Sequence, residues 1–356
     1  MGNPRTMTLR GRMPFAAILL AVALASACAP VVRSAGPRIA DPSLDGDALI
    51  AADGDRLALQ SWSPEGEPRA VILALHGFND YANAFDQPAQ TWARDGIATY
   101  AYDQRGFGRD DAAGLWAGEA TLIDDAATAV ALIRARHPGT PVFLLGESMG
   151  GAVAILAAAH DPPVDVDGLV LVAPAVWARD TMPLSYRVSL WLGVHLAPSM
   201  TVRGSNLDIW PSDNIDMLRA LAADPLVIKE TRVDAVYGLV NLMDAALAQA
   251  PKVDVPTLLL YGANDQVVPA EPVGMFVADL DPRHRVAVYG QGYHMLLRDL
   301  EADVVVDDIA TWIETPGRAL PSGAEAAAAS FFTPPPRPAP ATVRRNGEPG
   351  FGQRPS

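Results

Sequence analysis

VFLLGESMGGAVAIL, residues 142–156, is the stretch that decides the fold. Its first four residues are apolar and of β type, and they run straight into Gly146-Glu147-Ser148-Met149-Gly150. From Gly151 to about residue 159, small residues follow in a helical pattern. A strand that turns abruptly into a helix around a G-x-S-x-G serine is the nucleophile-elbow arrangement. The turn is sharp enough to strain the serine backbone, and a side chain at either glycine would strike neighbouring backbone. That geometry lifts a hydroxyl clear of the sheet edge at the positive end of a helix, where a developing oxyanion is favoured. The pentapeptide alone is a weak signal in a chain rich in Gly and Ala. The strand before it and the helix after it give it weight.

Two further segments supply the partners such a serine needs. PTLLLYGANDQVVP, residues 256–269, reads as a buried strand ending in a loop that carries Asp265. RVAVYGQGYHMLLRD, residues 285–299, is a short strand followed by a Gly-containing turn with His294. The order Ser148, Asp265, His294 is the α/β-hydrolase order, unlike that of chymotrypsin or subtilisin. His294 is the expected base for Ser148 and the later acid for the leaving oxygen. Asp265 is expected to fix the imidazole tautomer, although Asp279 and Asp281 lie near enough in sequence to be rival acids. The competing reading of His294 is a partly exposed turn histidine.

AVILALHGFNDYANAF, residues 70–85, ends its apolar run in His76-Gly77-Phe78, where a lipase or esterase places its oxyanion loop. The N–H groups of Phe78 and Met149 are the expected oxyanion donors, and His76 is expected to prop the loop by hydrogen bonding. IATYAYDQRGFGRDD, residues 97–111, is a strand followed by a Gly-rich turn. A dinucleotide reading of that turn fails, because the third glycine is missing and no helix opens directly after it.

Together these motifs (H-G-F, D-x-R-G-x-G, G-E-S-M-G-G, G-x-x-D and Y-H) resemble the monoacylglycerol lipase/lysophospholipase group of α/β-hydrolases, a serine aminopeptidase-like group. The resemblance covers about residues 46–315. It implies a nucleophile at Ser148, an acid at Asp265, a base at His294 and oxyanion amides at Phe78 and Met149. It also implies cleavage of carboxylic esters of single-chain lipids through an acyl-Ser148 intermediate, with no cofactor. A short-chain carboxylesterase, an acyltransferase using the same triad, or a fold kept only for binding are the alternatives. Asp110 stands where relatives usually carry Ser, which leaves the packing of that turn open. A serine nucleophile argues against dehalogenase and epoxide hydrolase relatives.

A chain of 356 residues, half of them hydrophobic, can bury one large core with room for an insertion and tails. The runs at 70–75, 97–102, 141–145, 168–173, 257–261 and 285–289 are apolar throughout, as parallel strands buried on both faces require. Helical segments such as 121–136 lie between them, so the expected fold is a mostly parallel, doubly wound α/β-hydrolase sheet with its site at the strands' carboxyl ends. The core is expected in two parts, 46–175 and 252–315. Residues 176–251 break the rhythm, lack strand signals and carry helical stretches at 184–196, 214–223 and 231–249. This segment reads as a helical cap. Its Trp and Met residues, among them Trp177, Trp191, Trp210, Met217 and Met243, suit an acyl chain better than a sugar or peptide.

Arg5, Arg10 and Arg12 precede an apolar stretch at 15–27 that is too short to span a bilayer, a secretory signal pattern over residues 1–27. Cys28, the only cysteine, follows Ala25-Ser26-Ala27 and resembles the lipidated first residue of a bacterial lipoprotein. Ala25 departs from the Leu preferred there. The expectation is an exported, membrane-anchored lipoprotein of the cell envelope, with a soluble secreted or periplasmic protein as the alternative. Residues 28–45 read as the lipidated terminus and tether, and 316–356, rich in Pro and Ala, as a disordered tail. The formal charge of −14, with no basic stripe, argues against a nucleic-acid partner. The six histidines form no H-E-x-x-H or Cys/His cluster, so no metal is expected.

Overall fold

The six apolar runs become six adjacent parallel strands. The computed structural model describes residues 29–204, 209–281 and 283–332. In chain order the strands and helices of the first half are β1 (Ser43–Asp45), β2 (Ala48–Ile50), β3 (Arg56–Trp62), β4 (Ala70–Leu75), α1 (Asp86–Arg94), β5 (Ile97–Tyr102), α2 (Glu119–Arg136), β6 (Val142–Glu147), α3 (Met149–Ala158) and β7 (Gly168–Val172). The second half adds α4 (Leu184–Leu196), β8 (Thr201–Val202), α5 (Ile215–Ala223), β9 (Thr231–Arg232), α6 (Val233–Ala248), β10 (Thr257–Gly262), α7 (Ala270–Asp279), β11 (Arg285–Tyr289), α8 (Ala302–Glu314) and α9 (Glu325–Phe331).

The main sheet runs β1-β2-β3-β5-β4-β6-β7-β10-β11. Strands β5 to β11 in this order are parallel, and β1 to β3 extend them as an antiparallel edge. Side chains alternate across the sheet. Val71, Leu73 and Leu75 of β4 join a core with α2, α3 and α6, whereas Ile72 and Ala74 join one with α1 and α8. Burying each such Leu, Ile or Val contributes about 1.5–3 kcal/mol. Both layers keep β6 rigid, and β6 carries the elbow at its carboxyl end.

The structure corrects three expectations. The tail assigned to 316–356 folds as far as Phe332: Leu320, Ala324 and Ala328 are buried, and α9 packs on β11. Strand β11 ends the sheet, and its Val288 N–H donates to Ala324 O at 3.0 Å, so this segment covers an otherwise open edge. Arg285 pairs with Glu325, and Phe331 and Phe332 pack their rings on Tyr261. The tether read at 28–45 is docked as well. Arg33 N donates to Trp116 O, Ala35 N to Thr121 Oγ1 and Val31 N to Asp234 Oδ2, and residues 43–45 form β1. The cap also contains a short antiparallel pair, β8 with β9, that its sequence does not announce. Cys28, the signal segment and residues 333–356 lie outside the described residues. Among the described residues no helix is long and apolar enough to cross a membrane.

Candidate active site

Ser148 sits between β6 and α3 with φ 52° and ψ −115°, a conformation a serine rarely adopts. Close packing enforces it. A Cβ on Gly146 would lie 2.3 Å from Gly150 O, and one on Gly150 would lie 2.0 Å from Leu75 O. The strained backbone is nonetheless fully bonded: Ser148 N donates to Val172 O at 2.9 Å, and Ala175 N donates to Ser148 O at 2.9 Å. Met149 opens α3, so its N–H has no partner within the helix.

The chain from β4 passes directly beside this serine. A Cβ placed on Gly77 would be 3.4 Å from Ser148 Cβ, which brings the H-G-F loop to Ser148. His76 props that loop. Its Nε2 accepts from Gln104 N at 2.9 Å, so the proton sits on Nδ1, which donates to Gly77 O at 2.8 Å. Burial pushes the proton affinity of this imidazole down and keeps it neutral. Asn79, at φ 67°, turns the loop and ties it to the cap through Thr231 Oγ1 at 2.7 Å. Phe78 packs edge-on against Phe107 of the D-x-R-G-x-G turn.

His294 and Asp265 meet. Nδ1 of the imidazole lies 2.8 Å from Asp265 Oδ2. The other carboxylate oxygen accepts from Val267 N at 2.7 Å and Val268 N at 2.9 Å. Asp279 and Asp281 are not at this point: Asp279 ends α7, and Asp281 caps its own loop by accepting from Arg283 N. Burial opposes protonation of His294. The Asp265 carboxylate, through charge and hydrogen bond, and then Glu147 outweigh that, so its proton affinity is raised above the ordinary histidine value.

Asp110, the departure from the family pattern, does a turn-capping task itself. Its Oδ2 accepts from Gly106 N and its Oδ1 from Ala112 N. Arg105 of the same turn is buried between Asp53 and Asp125. Two cavities adjoin the site. One, of about 820 Å³, runs from Phe78 and Met295 under the cap between Val202, Pro211, Leu221 and Ile228. The other, of about 460 Å³, lies across Asp80 and Leu221 and is more polar, with Tyr81, Asn214, Asp224 and Arg298 in its wall.

Residues 66–301 match the protein-family model described as serine aminopeptidase, S33. The chain belongs to this hydrolase family. It is 28% identical to the monoacylglycerol lipase of Mycolicibacterium smegmatis, over 75% of this chain and 95% of that protein. It is 27% identical to the human monoglyceride lipase, over 79% and 95% respectively. A soluble variant of Saccharomyces cerevisiae monoglyceride lipase superposes with a TM-score of 0.64 at 17% identity, over 80% of this chain and 98% of that one. That likeness shows a shared α/β-hydrolase fold.

The S33 family member also holds site residues that sequence reasoning passed over. Asp299 accepts from Tyr293 N at 2.7 Å and from the cap residue Ser212 at 2.6 Å, so it fastens the histidine loop to the cap. Arg298 reaches the other way, toward Asp80 and Glu147. Both lie in the R-D pair that follows Y-H-M-L-L, and no motif marks that pair as buried. Of the remaining histidines, His195 is exposed and stacked on Trp191, and His137 bonds Tyr100. Among the described residues no group of three or more His, Cys, Asp or Glu is arranged to hold a metal.

Proposed function

We propose that this protein hydrolyses carboxylic esters of single-chain lipids, monoacylglycerols or lysophospholipids, by two-step acyl transfer through Ser148. It is a carboxylic ester hydrolase in class, and the proposal concerns the nucleophile and the lipid. His294 Nε2 takes the Ser148 hydroxyl proton as Oγ attacks the carbonyl carbon, and the oxyanion forms toward the N–H groups of Phe78 and Met149. The C–O bond to the alcohol then breaks, and His294 gives that proton to the departing oxygen. Water, deprotonated by His294, attacks the acyl-Ser148 carbonyl; the C–Oγ bond breaks, His294 returns the proton to Ser148 Oγ, and the fatty acid leaves. Asp265 stabilises the imidazolium in both steps.

The observation that carries the lipid reading is the 820 Å³ cavity, whose wall includes Phe78 of the oxyanion loop, Met295, the residue after His294, and the apolar cap residues Val202, Val227, Ile228 and Val236. Its size falls within the range of small-molecule sites. The names of the similar proteins agree with an acylglycerol. Helix α4 also leaves Leu184, Tyr186, Trp191 and Leu196 exposed, which suits an enzyme whose substrate lies in a lipid phase. Export and lipidation at Cys28 belong to the same proposal, and mass spectrometry finding an unmodified amino terminus would refute the anchor.

The test is a panel of monoacylglycerols, lysophospholipids and p-nitrophenyl esters, run beside fluorophosphonate labelling of the protein and of Ser148→Ala. Labelling lost in Ser148→Ala and turnover rising with acyl length support the reading. Equal turnover of acetyl and decanoyl esters would count against an acyl cavity.

A further inference from the structure

Glu147, Asp80 and Arg298 form a buried ionic cluster to which the acyl-transfer steps assign no task. Each comes from a different part of the site. Glu147 immediately precedes Ser148, Asp80 lies two residues after Phe78, and Arg298 lies four residues after His294. Their exposures are 2%, 5% and 9%. A terminal nitrogen of Arg298 stands 2.8 Å from Asp80 Oδ2 and 3.4 Å from Glu147 Oε2. Asp80 Oδ1 accepts from Tyr81 N at 2.9 Å, and Arg298 O accepts from the cap residue Asn214 at 2.9 Å.

One guanidinium stands between two carboxyl groups in the interior, and burial raises the proton affinity of Glu147. Asp80 Oδ2, Glu147 Oε1 and Arg298 Nε make no hydrogen bond among the described residues, so Arg298 and Asp80 meet as an ion pair. Burying such a set is costly, and apolar residues of similar volume often stabilise a fold more. Stability therefore does not explain it. What it does is join the loop after β4, the turn at Ser148 and the loop that carries His294.

We infer that Arg298 is a positioning residue: by holding Asp80 and Glu147 together it locks the oxyanion loop, the nucleophile elbow and the histidine loop in register. The same cluster sets the charge that His294 meets when it takes the Ser148 proton. This rests on the triad reading proposed above. The charged groups acting on His294 are Asp265, Glu147, Arg298 and Asp299. Glu147 and Arg298 act in opposite directions, the first favouring the imidazolium and the second opposing it.

The test uses the full-length protein and its Arg298→Met, Arg298→Lys and Glu147→Gln variants, with thermal melting as the check on folding. The readouts are the rate of fluorophosphonate labelling at Ser148 and kcat/KM for a p-nitrophenyl ester against pH. Misplacement by an ångström typically costs about 100-fold, so Arg298→Met should slow labelling roughly 10- to 100-fold, with partial recovery in Arg298→Lys. The midpoint of the acid limb should move up in Arg298→Met and down in Glu147→Gln. A purely structural role would leave both midpoints in place. Unchanged labelling in a folded Arg298→Met, or midpoints that move in the same direction, would overturn the inference. If Arg298→Met does not fold, Arg298→Lys and Glu147→Gln decide: slowed Ser148 labelling in the folded variants supports the inference, and wild-type labelling in both overturns it. A wild-type protein that is never labelled at Ser148 refutes the triad reading itself, before any of these variants is made.

Discussion

Replacing Asp265 by Asn should abolish turnover with little effect on the fold, because the surrounding hydrogen bonds dictate which way the new amide points. Oδ1 accepts from two backbone N–H groups, Val267 at 2.7 Å and Val268 at 2.9 Å. Only an oxygen can sit there, so the amide oxygen takes that place and the NH2 turns to His294. The imidazole must then accept at Nδ1, which moves its own proton to Nε2, the nitrogen that should accept from Ser148. The wrong tautomer in a serine-protease triad costs about 10⁴ in kcat. That equals about 5.4 kcal/mol of barrier at about 1.36 kcal/mol per decade. Stability changes far less, since a charge-assisted bond becomes a neutral one, about 1 kcal/mol, or roughly 2–4 °C in melting temperature. Steady-state hydrolysis of a p-nitrophenyl ester paired with thermal melting measures both. Asp281→Asn is the control, because Asp281 is half-exposed and serves only its own loop. Activity of Asp265→Asn within tenfold of wild type, or collapse of activity in Asp281→Asn, would refute the reasoning.

Three further outcomes are expected. His294 must be neutral to accept a proton and its proton affinity is raised above the ordinary 6.5, so kcat/KM should fall as pH drops through a midpoint above 6.5; a pH–rate profile with its midpoint below that value contradicts the assigned environment. Gly150→Ala should lose both fluorophosphonate labelling and thermal stability, since the new Cβ would sit 2.0 Å from a backbone carbonyl that cannot yield; wild-type labelling would mean the elbow is built differently. Truncation after Thr315 removes the buried Leu320, Ala324 and Ala328 and uncovers β11. It should cost about 3 kcal/mol and roughly 10 °C in melting temperature, and an unchanged melting curve would show that the segment contributes nothing.

The parallel strands were legible because burial on both faces leaves a continuous apolar run, whatever the neighbours. Strands β1 to β3 were not, for they form the antiparallel margin of the sheet and two of them are only three residues long. Only β3 carries a signal, the alternation of buried Leu57 and Leu59 with more exposed neighbours. Local composition misled at α9: an Ala-rich stretch between Pro-rich ones has little reason to fold alone, and the open edge of β11 supplies the reason. Ser148, Asp265 and His294 could be ordered from motifs, yet the choice of Asp265 over Asp279 or Asp281 needed the loop geometry. Arg298 and Glu147 lie 151 residues apart, and nothing in either local sequence marks them as buried partners.

The strain at Ser148 explains why the site depends on both cores at once. A serine in this region of backbone space costs on the order of 1–3 kcal/mol. It persists only where relaxation would break something more valuable. Here relaxation would sever the bonds to Val172 O and from Ala175 N, which tie the elbow to β7 and the segment after it. It would also push Gly150 away from Leu75, whose side chain belongs to the core beneath α3. The opposite face holds β6 through Phe143 and Leu145, packed with Trp312 and the rest of α8. Neither layer touches an ester, but each removes a direction in which the hydroxyl could retreat. The raised serine is therefore a property of the whole sheet, expressed at one residue.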